Sequence, residues 1–443
     1  MINFIRSIFP GSNFMIVVLF LVAVFLLSFF VQVLYFPALL LFFAALTVGA
    51  SEIMLLYFYR HGISASRPLP ERFSNGDDNE ISITVENHYP FKVQLNIIDE
   101  LPAEFQERDF QITTELQQGE DKKVHYSLNP VKRGSYQFGK LLVFATFTGL
   151  FERRYEFGRE QEVAVYPAFK SMKQYLKLIF AASRFRAGMK QVRKPGHTKE
   201  FEHIRDYVTG DDYRFINWSS TARRGKLMVN QYRDQTDVPI YSIIDKGRSM
   251  KSPFEGMTLL DYAINATLVI SGVINSREDK AGLCLYSDKI EGFLPAAGHT
   301  RQIGKIMDVL YHQQTTFPEP DFFNAVRYLQ RRISQRSLLI WFTNFETRAS
   351  IERHVPALQN IARHHTLLVV FFRNTILEDY VQVKAKNVEE IYLKTIAEEF
   401  EHEKKLLAAQ LEKSGIHTLM PRPGDLNMEL VNKYLELKSS QVI

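Results

Sequence analysis

Forty-six consecutive residues, Phe14 to Tyr59, contain a single charged side chain, Glu52. A bilayer's hydrocarbon slab takes about 20 helical residues per crossing, so the run is long enough for two. Tyr35-Phe36-Pro37 is the natural break. It divides a transmembrane hairpin, residues 1–62, into spans of about 14–34 and 37–59. A secretory signal would be one shorter apolar core followed by a small-residue cleavage site, whereas this run renews itself after Pro37. Arg6 precedes the first span, Arg60, Arg67 and Arg72 follow the second, and the turn between carries no Lys or Arg. The positive-inside rule then places both ends in the cytoplasm of a two-span membrane protein. Glu52 falls inside the second span and reads as a residue near the interface, with a partner contact as the alternative.

Beyond the anchor the texture changes. Residues 63–166 alternate in short segments (ISITVEN, FKVQLNIID, KKVHYSLNP, REQEVAVYP) broken by Asn-Gly, Pro and Gly-Glu turns. That pattern predicts a β-sandwich of immunoglobulin-like size. From residue 237 to 443 it changes again. VPIYSIID, AGLCLYSD, IEGFLPA, SLLIWFTN and HTLLVVFFR read as strands, alternating with helices over Thr258–Ser276, Thr300–His312 and Phe322–Ile333. Strands alternating with helices imply a mostly parallel sheet covered on both faces, an α/β domain. At 443 residues the chain has room for these separate cores.

Residues 167–236 lie between as a basic linker. Residues 170–235 hold fifteen Lys/Arg against six Asp/Glu, a local +9 in a chain of net +5. Lys190–Lys199, with Phe185, Phe201 and Tyr207 nearby, has the makings of a nucleic-acid strip. A membrane anchor makes a solvated linker, lipid head groups or an acidic partner the better readings, so no nucleic acid is expected. The one cysteine, Cys284, excludes an intramolecular disulfide and reads as a buried apolar residue.

Ligands of parallel α/β sheets bind outside the carboxyl ends of strands. The first strand ends in Asp245-Lys246-Gly247-Arg248-Ser249. This loop resembles the metal-ion-dependent adhesion site of von Willebrand factor type A domains, Asp-x-Ser-x-Ser, in which a carboxylate and two hydroxyls offer hard oxygen ligands to Mg²⁺. Gly247 replaces the first serine. The resemblance implies a further hydroxyl from Thr315 or Thr316 and a carboxylate after the fourth strand, where Asn344 stands instead. The site implied is degenerate (Asp245, Ser249, Thr316, Asn344), with weakly bound Mg²⁺ as its only implied cofactor.

Between linker and sheet, Arg205-Asp206-Tyr207, Gly210-Asp211-Asp212, Arg214, Ile216, Trp218, Ala222-Arg223 and Leu227–Val229 resemble the signature of the domain of unknown function fifty-eight family. That resemblance implies a membrane anchor, a β-rich region and a degenerate type A domain, in the order found here, and a MoxR-type AAA+ ATPase as partner. Physically, the aspartates with Arg205, Arg214, Arg223 and Arg224 suit a charge-assisted network. Gly210 suits a turn, and Ile216 with Trp218 would pin one face of an extended segment to a core, forming a clasp. A partner-binding groove built from the same residues is the alternative.

Catalytic signals are weak. GHTRQIGKI, from Gly298, misses the phosphate-loop spacing, no His-Glu-x-x-His or Gly-x-Ser-x-Gly occurs, and His364-His365 and Glu401–Glu403 read as solvated helix ends. The expectation is a non-enzymatic, cytoplasm-facing scaffold that binds protein partners and assists maturation of client proteins. A metal-dependent hydrolase using Asp245 and Ser249 is the rival.

Overall fold

The computed structural model describes residues 7–107, 110–187, 199–234, 238–345, 348–375, 377–378, 387–440 and 442–443. They form two compact units, residues 1–166 and 167–443.

In the first unit, apolar helices span Phe14–Phe30 and Tyr35–Phe58, joined by a short turn at Gln32–Leu34. The chain breaks at Val31, slightly earlier than the sequence suggests. Pro37 lies in the first turn of the second helix, where its missing N–H costs no hydrogen bond. Most side chains of both helices are exposed, as lipid-facing residues are. At the N-terminus, Gln32–Phe58 is thus long and apolar enough to cross a membrane, and Phe14–Phe30 is a shorter apolar helix beside it. Leu259–Ser276 is also apolar and long enough, but it is buried inside the second unit.

The β part of this unit contains a five-stranded sheet and two three-stranded sheets. Asn79–Asn87 shows why it folds so: every second side chain is buried, the period of a strand with one wet face. Ile83, Val85, Leu95, Ile97, Leu116 and Val143 from facing strands share one core, which Leu56 of the second helix joins.

Glu52 is held by the β part of its own unit. It is 1% exposed and gripped by the turn that follows strand Leu141–Thr146. One carboxylate oxygen accepts from Thr146 Oγ1 at 3.2 Å, Phe147 N at 3.0 Å and Thr148 N at 2.6 Å. The other accepts from Thr148 Oγ1 at 2.7 Å and Phe151 N at 3.0 Å. Arg153 donates to the carbonyls of Leu56, Tyr59 and Arg60, satisfying oxygens left open at the helix end. One face of the last two turns of this helix, that of Glu52 and Leu56, is thus packed by protein.

The second unit is built on a six-stranded sheet, in spatial order Ile290–Ala297, Lys280–Tyr286, Pro239–Asp245, Leu338–Phe342, Thr366–Val370, His417–Leu419. All neighbours are parallel except the edge strand Ile290–Ala297. Pro239–Asp245 is buried throughout, as a central strand covered on both faces must be. One face packs helices Phe322–Arg332, Arg348–Ala362 and Val388–Lys413 over Tyr241, Ile243, Leu339 and Trp341. The other carries Leu259–Ser276, opened by a Thr258/Asp261 capping box, with Leu426–Ser439 against it.

The interval read as linker is partly structured. Phe169–Ala187 is a helix that packs on Leu259–Ser276 and so belongs to this unit. Gly272 permits the approach, since a Cβ there would stand 2.7 Å from Met172 Cγ. Lys190–Lys194 and the rest of 188–198 lie outside the described residues.

Candidate functional site

In the sheet, the connection from Pro239–Asp245 runs to one side and the one from Leu338–Phe342 to the other. The carboxyl ends of these two neighbours form the topological switch point, where α/β sheets open a crevice. Asp245 closes the first strand and Thr343-Asn344 follow the second.

Asp245 is 1% exposed. Its Oδ1 accepts from Gly247 N at 2.7 Å, its Oδ2 from Thr343 Oγ1 at 2.8 Å. The Tyr286 hydroxyl, which accepts from Trp341 Nε1 at 2.9 Å, lies against the same carboxyl. Among the described residues no Lys or Arg pairs with it. Burial pushes the carboxyl up to about 6, against the lowering effect of Gly247, Thr343 and Tyr286. The neighbouring Lys246 is itself buried, and its ammonium turns away to Glu291 and to Gln313 Oε1 at 2.9 Å.

The other loop residues are placed unequally. Ser249 is half-buried, and its carbonyl accepts from Asn344 Nδ2 at 3.3 Å. Thr315 turns its hydroxyl to the Lys246 carbonyl at 2.9 Å, while Thr316 is exposed. Gly247 is extended, yet a Cβ on it would stand 2.6 Å from Pro320 Cδ and 2.9 Å from Asp245 Oδ1. A serine has no room there, which is the physical reason for the departure from the adhesion-site pattern. As a donor set for a hard cation the arrangement fits poorly: both Asp245 oxygens serve protein donors, and Asn344 turns its amide nitrogen towards the loop. Among the described residues no three His, Cys, Asp or Glu gather as a metal group.

The signature forms a separate module. Strands Lys199–Asp206 and Met228–Asp234 pair antiparallel, and the excursion between them carries the short helix Trp218–Arg224. Arg205 grips Asp211 bidentately at 2.7 and 2.6 Å and holds its carboxyl below the usual range. Asp211 also accepts from Val208 N, closing a turn in which Gly210 takes φ of 110°. Asp212 caps the next turn by accepting from Arg214 N, and Asn217 caps the helix.

The predicted network is otherwise not assembled. Asp206, Arg214, Arg223 and Arg224 are exposed, and Arg205–Asp211 is the ion pair observed among these residues. Tyr207 is half-buried, its N–H on the Leu227 carbonyl. Trp218 does not pin a core. Because it begins a helix rather than continuing a strand, it leaves the face of Ile216 and is 69% exposed, beside Tyr213 at 70%. The exposed Tyr213 and Trp218 share this excursion with the exposed Arg214, Arg223 and Arg224, an arrangement that alternation alone does not reveal. Thr343 and Tyr286 were likewise missed; only the neighbouring Asn344 hinted at the former.

Residues 203–390 match the family described as "Protein of unknown function DUF58". No curated protein matches the chain. Among solved structures, the conserved hypothetical protein BatB from Bacteroides thetaiotaomicron is similar at 12% identity and a TM-score of 0.31, covering 46% of this chain and 99% of that one. An aerotolerance-related membrane protein from Bacteroides fragilis, with multiple mutations to serines, is similar at 13% identity and a TM-score of 0.28, covering 44% and 99%. The CARDB domain of PF1109 from Pyrococcus furiosus is similar at 12% identity and a TM-score of 0.17, covering 24% and 94%.

Proposed function

We propose that the chain is a membrane-anchored, cytoplasm-facing adaptor of the inner membrane. An immunoglobulin-like sandwich follows its anchor, and its von Willebrand factor type A-like domain binds protein partners without catalysing a reaction. The observation that carries this reading is the switch-point loop. Asp245, Thr343, Asn344 and Ser249 are joined by hydrogen bonds into a rigid rim, while the donors a tight metal site needs are turned to the protein. A hydrolase would need an activated water or nucleophile at that rim, and the buried, fully engaged carboxyl favours recognition instead.

The exposed Tyr213 and Trp218, with Arg214 and Arg223, form the second contact, since aromatic and arginine side chains carry most binding energy at interfaces. The partner proposed is a MoxR-type AAA+ ATPase, whose nucleotide cycle would be coupled to client maturation. Full-length chain in lipid nanodiscs and the purified ATPase of the same genome test this by interferometry with ATP, ADP or neither. Binding that depends on nucleotide and drops about tenfold or more in Trp218→Ala, an anchor-sized loss, is the expected result. Absence of binding in every nucleotide state refutes the assignment of partner.

A further inference from the structure

The two N-terminal helices meet the β part of their unit at one turn, residues 146–151. The first helix, Phe14–Phe30, has 17 residues. It rises about 25 Å, less than a hydrocarbon core of about 30 Å, so lipid that covers the hairpin from its apolar tip runs past Phe14. Asn13, the next residue, is bonded to the turn. The second helix gives the same level. Glu52, which holds the turn, stands about 25 Å along it from Tyr35, still within the slab. The Phe151 ring reaches deeper: it meets Phe14 at 5.6 Å, and a Cβ on Gly49 would stand 2.8 Å from it. On the open side of the second helix Met54 is 71% and Phe58 73% exposed, and both lie beyond Glu52 along the helix. Lipid that covers them reaches the depth of the turn.

The backbone of the turn is satisfied from within. The Phe147, Thr148 and Phe151 N–H groups go to the Glu52 carboxylate, and Gly149 N donates to Thr146 Oγ1 at 2.9 Å. The Thr148 carbonyl accepts from Asn13 Nδ2 at 3.0 Å, that of Gly149 from Asn13 N at 2.9 Å, and that of Leu150 from Gly11 N at 2.8 Å. On an ordinary surface turn water would serve such groups; at bilayer depth, irregular backbone is tolerated only where protein serves them. The side chain at the tip is apolar as well. Phe147 is 47% exposed, its ring resting on Phe91 with centroids 5.0 Å apart.

We propose that turn 146–151 is seated in the bilayer, at the boundary between acyl chains and head groups, with the Phe147 ring among the acyl chains. Aromatic rings favour that layer. The occupant is lipid because the apolar side of the turn runs, through Phe151, into the surfaces of both helices that the bilayer covers. The inference rests on the membrane-anchored reading above. It adds that the β part itself touches lipid instead of standing clear of the surface, and it does not depend on the identity of the ATPase.

The probe is a nitroxide on one introduced cysteine, Phe147→Cys, in the full chain in lipid nanodiscs; the native Cys284 is buried and stays unlabelled. Power-saturation EPR reads collision with oxygen, which concentrates among acyl chains, and with a water-soluble nickel chelate. Lys140→Cys, exposed just before strand Leu141–Thr146 and so at its opposite end, and Leu19→Cys, exposed in the first helix, are the references. The oxygen-to-chelate ratio at 147 should exceed that at 140 by about threefold or more, since a polar chelate is excluded from apolar surroundings. Equal ratios at 147 and 140, with position 19 still rich in oxygen, put the turn in water and overturn this proposal alone. Low collision with both reagents at 147 puts the turn under protein and overturns it too. A label at 19 open to the chelate removes the membrane reading itself, and the proposal with it.

Discussion

Gly247→Ala asks whether the loop's departure from the adhesion-site pattern is enforced by packing. The backbone there has φ of −81° and ψ of −178°, open to any residue, so conformational strain contributes nothing. The cost is contact: the new methyl would meet Pro320 at 2.6 and 2.8 Å and Asp245 Oδ1 at 2.9 Å. Pro320 cannot easily retreat. On one side the Pro318 carbonyl accepts from Arg248 N at 3.1 Å; on the other Asp321 N donates to the Ser287 carbonyl at 2.8 Å and Asp321 caps a helix. Overpacking of this kind costs about 1–3 kcal/mol. For a unit of this size each kcal/mol lowers Tm by about 2–4 °C, so a fall of about 5 °C is expected. The chain has two tryptophans, of which Trp341 is buried in the sheet, so intrinsic fluorescence in nanodiscs reports this unit's melting. Gly247→Ser should behave alike. Adding Pro320→Ala should recover about 1 kcal/mol or more as coupling in a double-mutant cycle. An unchanged Tm in Gly247→Ala, or additivity with Pro320→Ala, refutes the reasoning.

Three further outcomes follow from the same structure. Asp245, pushed from 3.8 up to about 6, takes up a proton on folding between those values; stability should therefore fall by about 3 kcal/mol as pH rises through about 4 to 6 and level off above. Asp245→Asn should flatten that slope in Tm-against-pH curves, and an unaltered slope assigns it to other groups. Glu52→Ala leaves the Phe147, Thr148 and Phe151 N–H groups without their acceptor, a loss of about 3 kcal/mol or more. It should speed proteolysis at turn 146–151 in nanodiscs, and wild-type cutting rates would show that the carboxylate does not hold the turn. Burial pushes the Cys284 thiol up to about 12, so iodoacetamide at pH 8 should label the chain only after denaturation; labelling of the native chain contradicts the burial.

What the sequence determined by itself was whatever local periodicity or composition encodes. An almost uncharged run of 46 residues leaves little but membrane helices, strict alternation in Asn79–Asn87 specifies a one-sided strand, and the largely apolar PIYSIID of Pro239–Asp245 specifies a buried one. The signature residues could be picked out by type and spacing. Their partnerships could not. Trp218 and Ile216 look equivalent until a helix begins between them and turns one into solvent. Glu52 and Thr148 are 96 residues apart, Lys246 and Glu291 45, Asp245 and Thr343 98, and nothing local links the members of any pair. Whether a carboxylate inside an apolar helix faces lipid or a ring of N–H donors, and whether a glycine replaces a serine by drift or because a proline ring fills the space, depends on which distant segments packing brings together. Only the tertiary structure decides that.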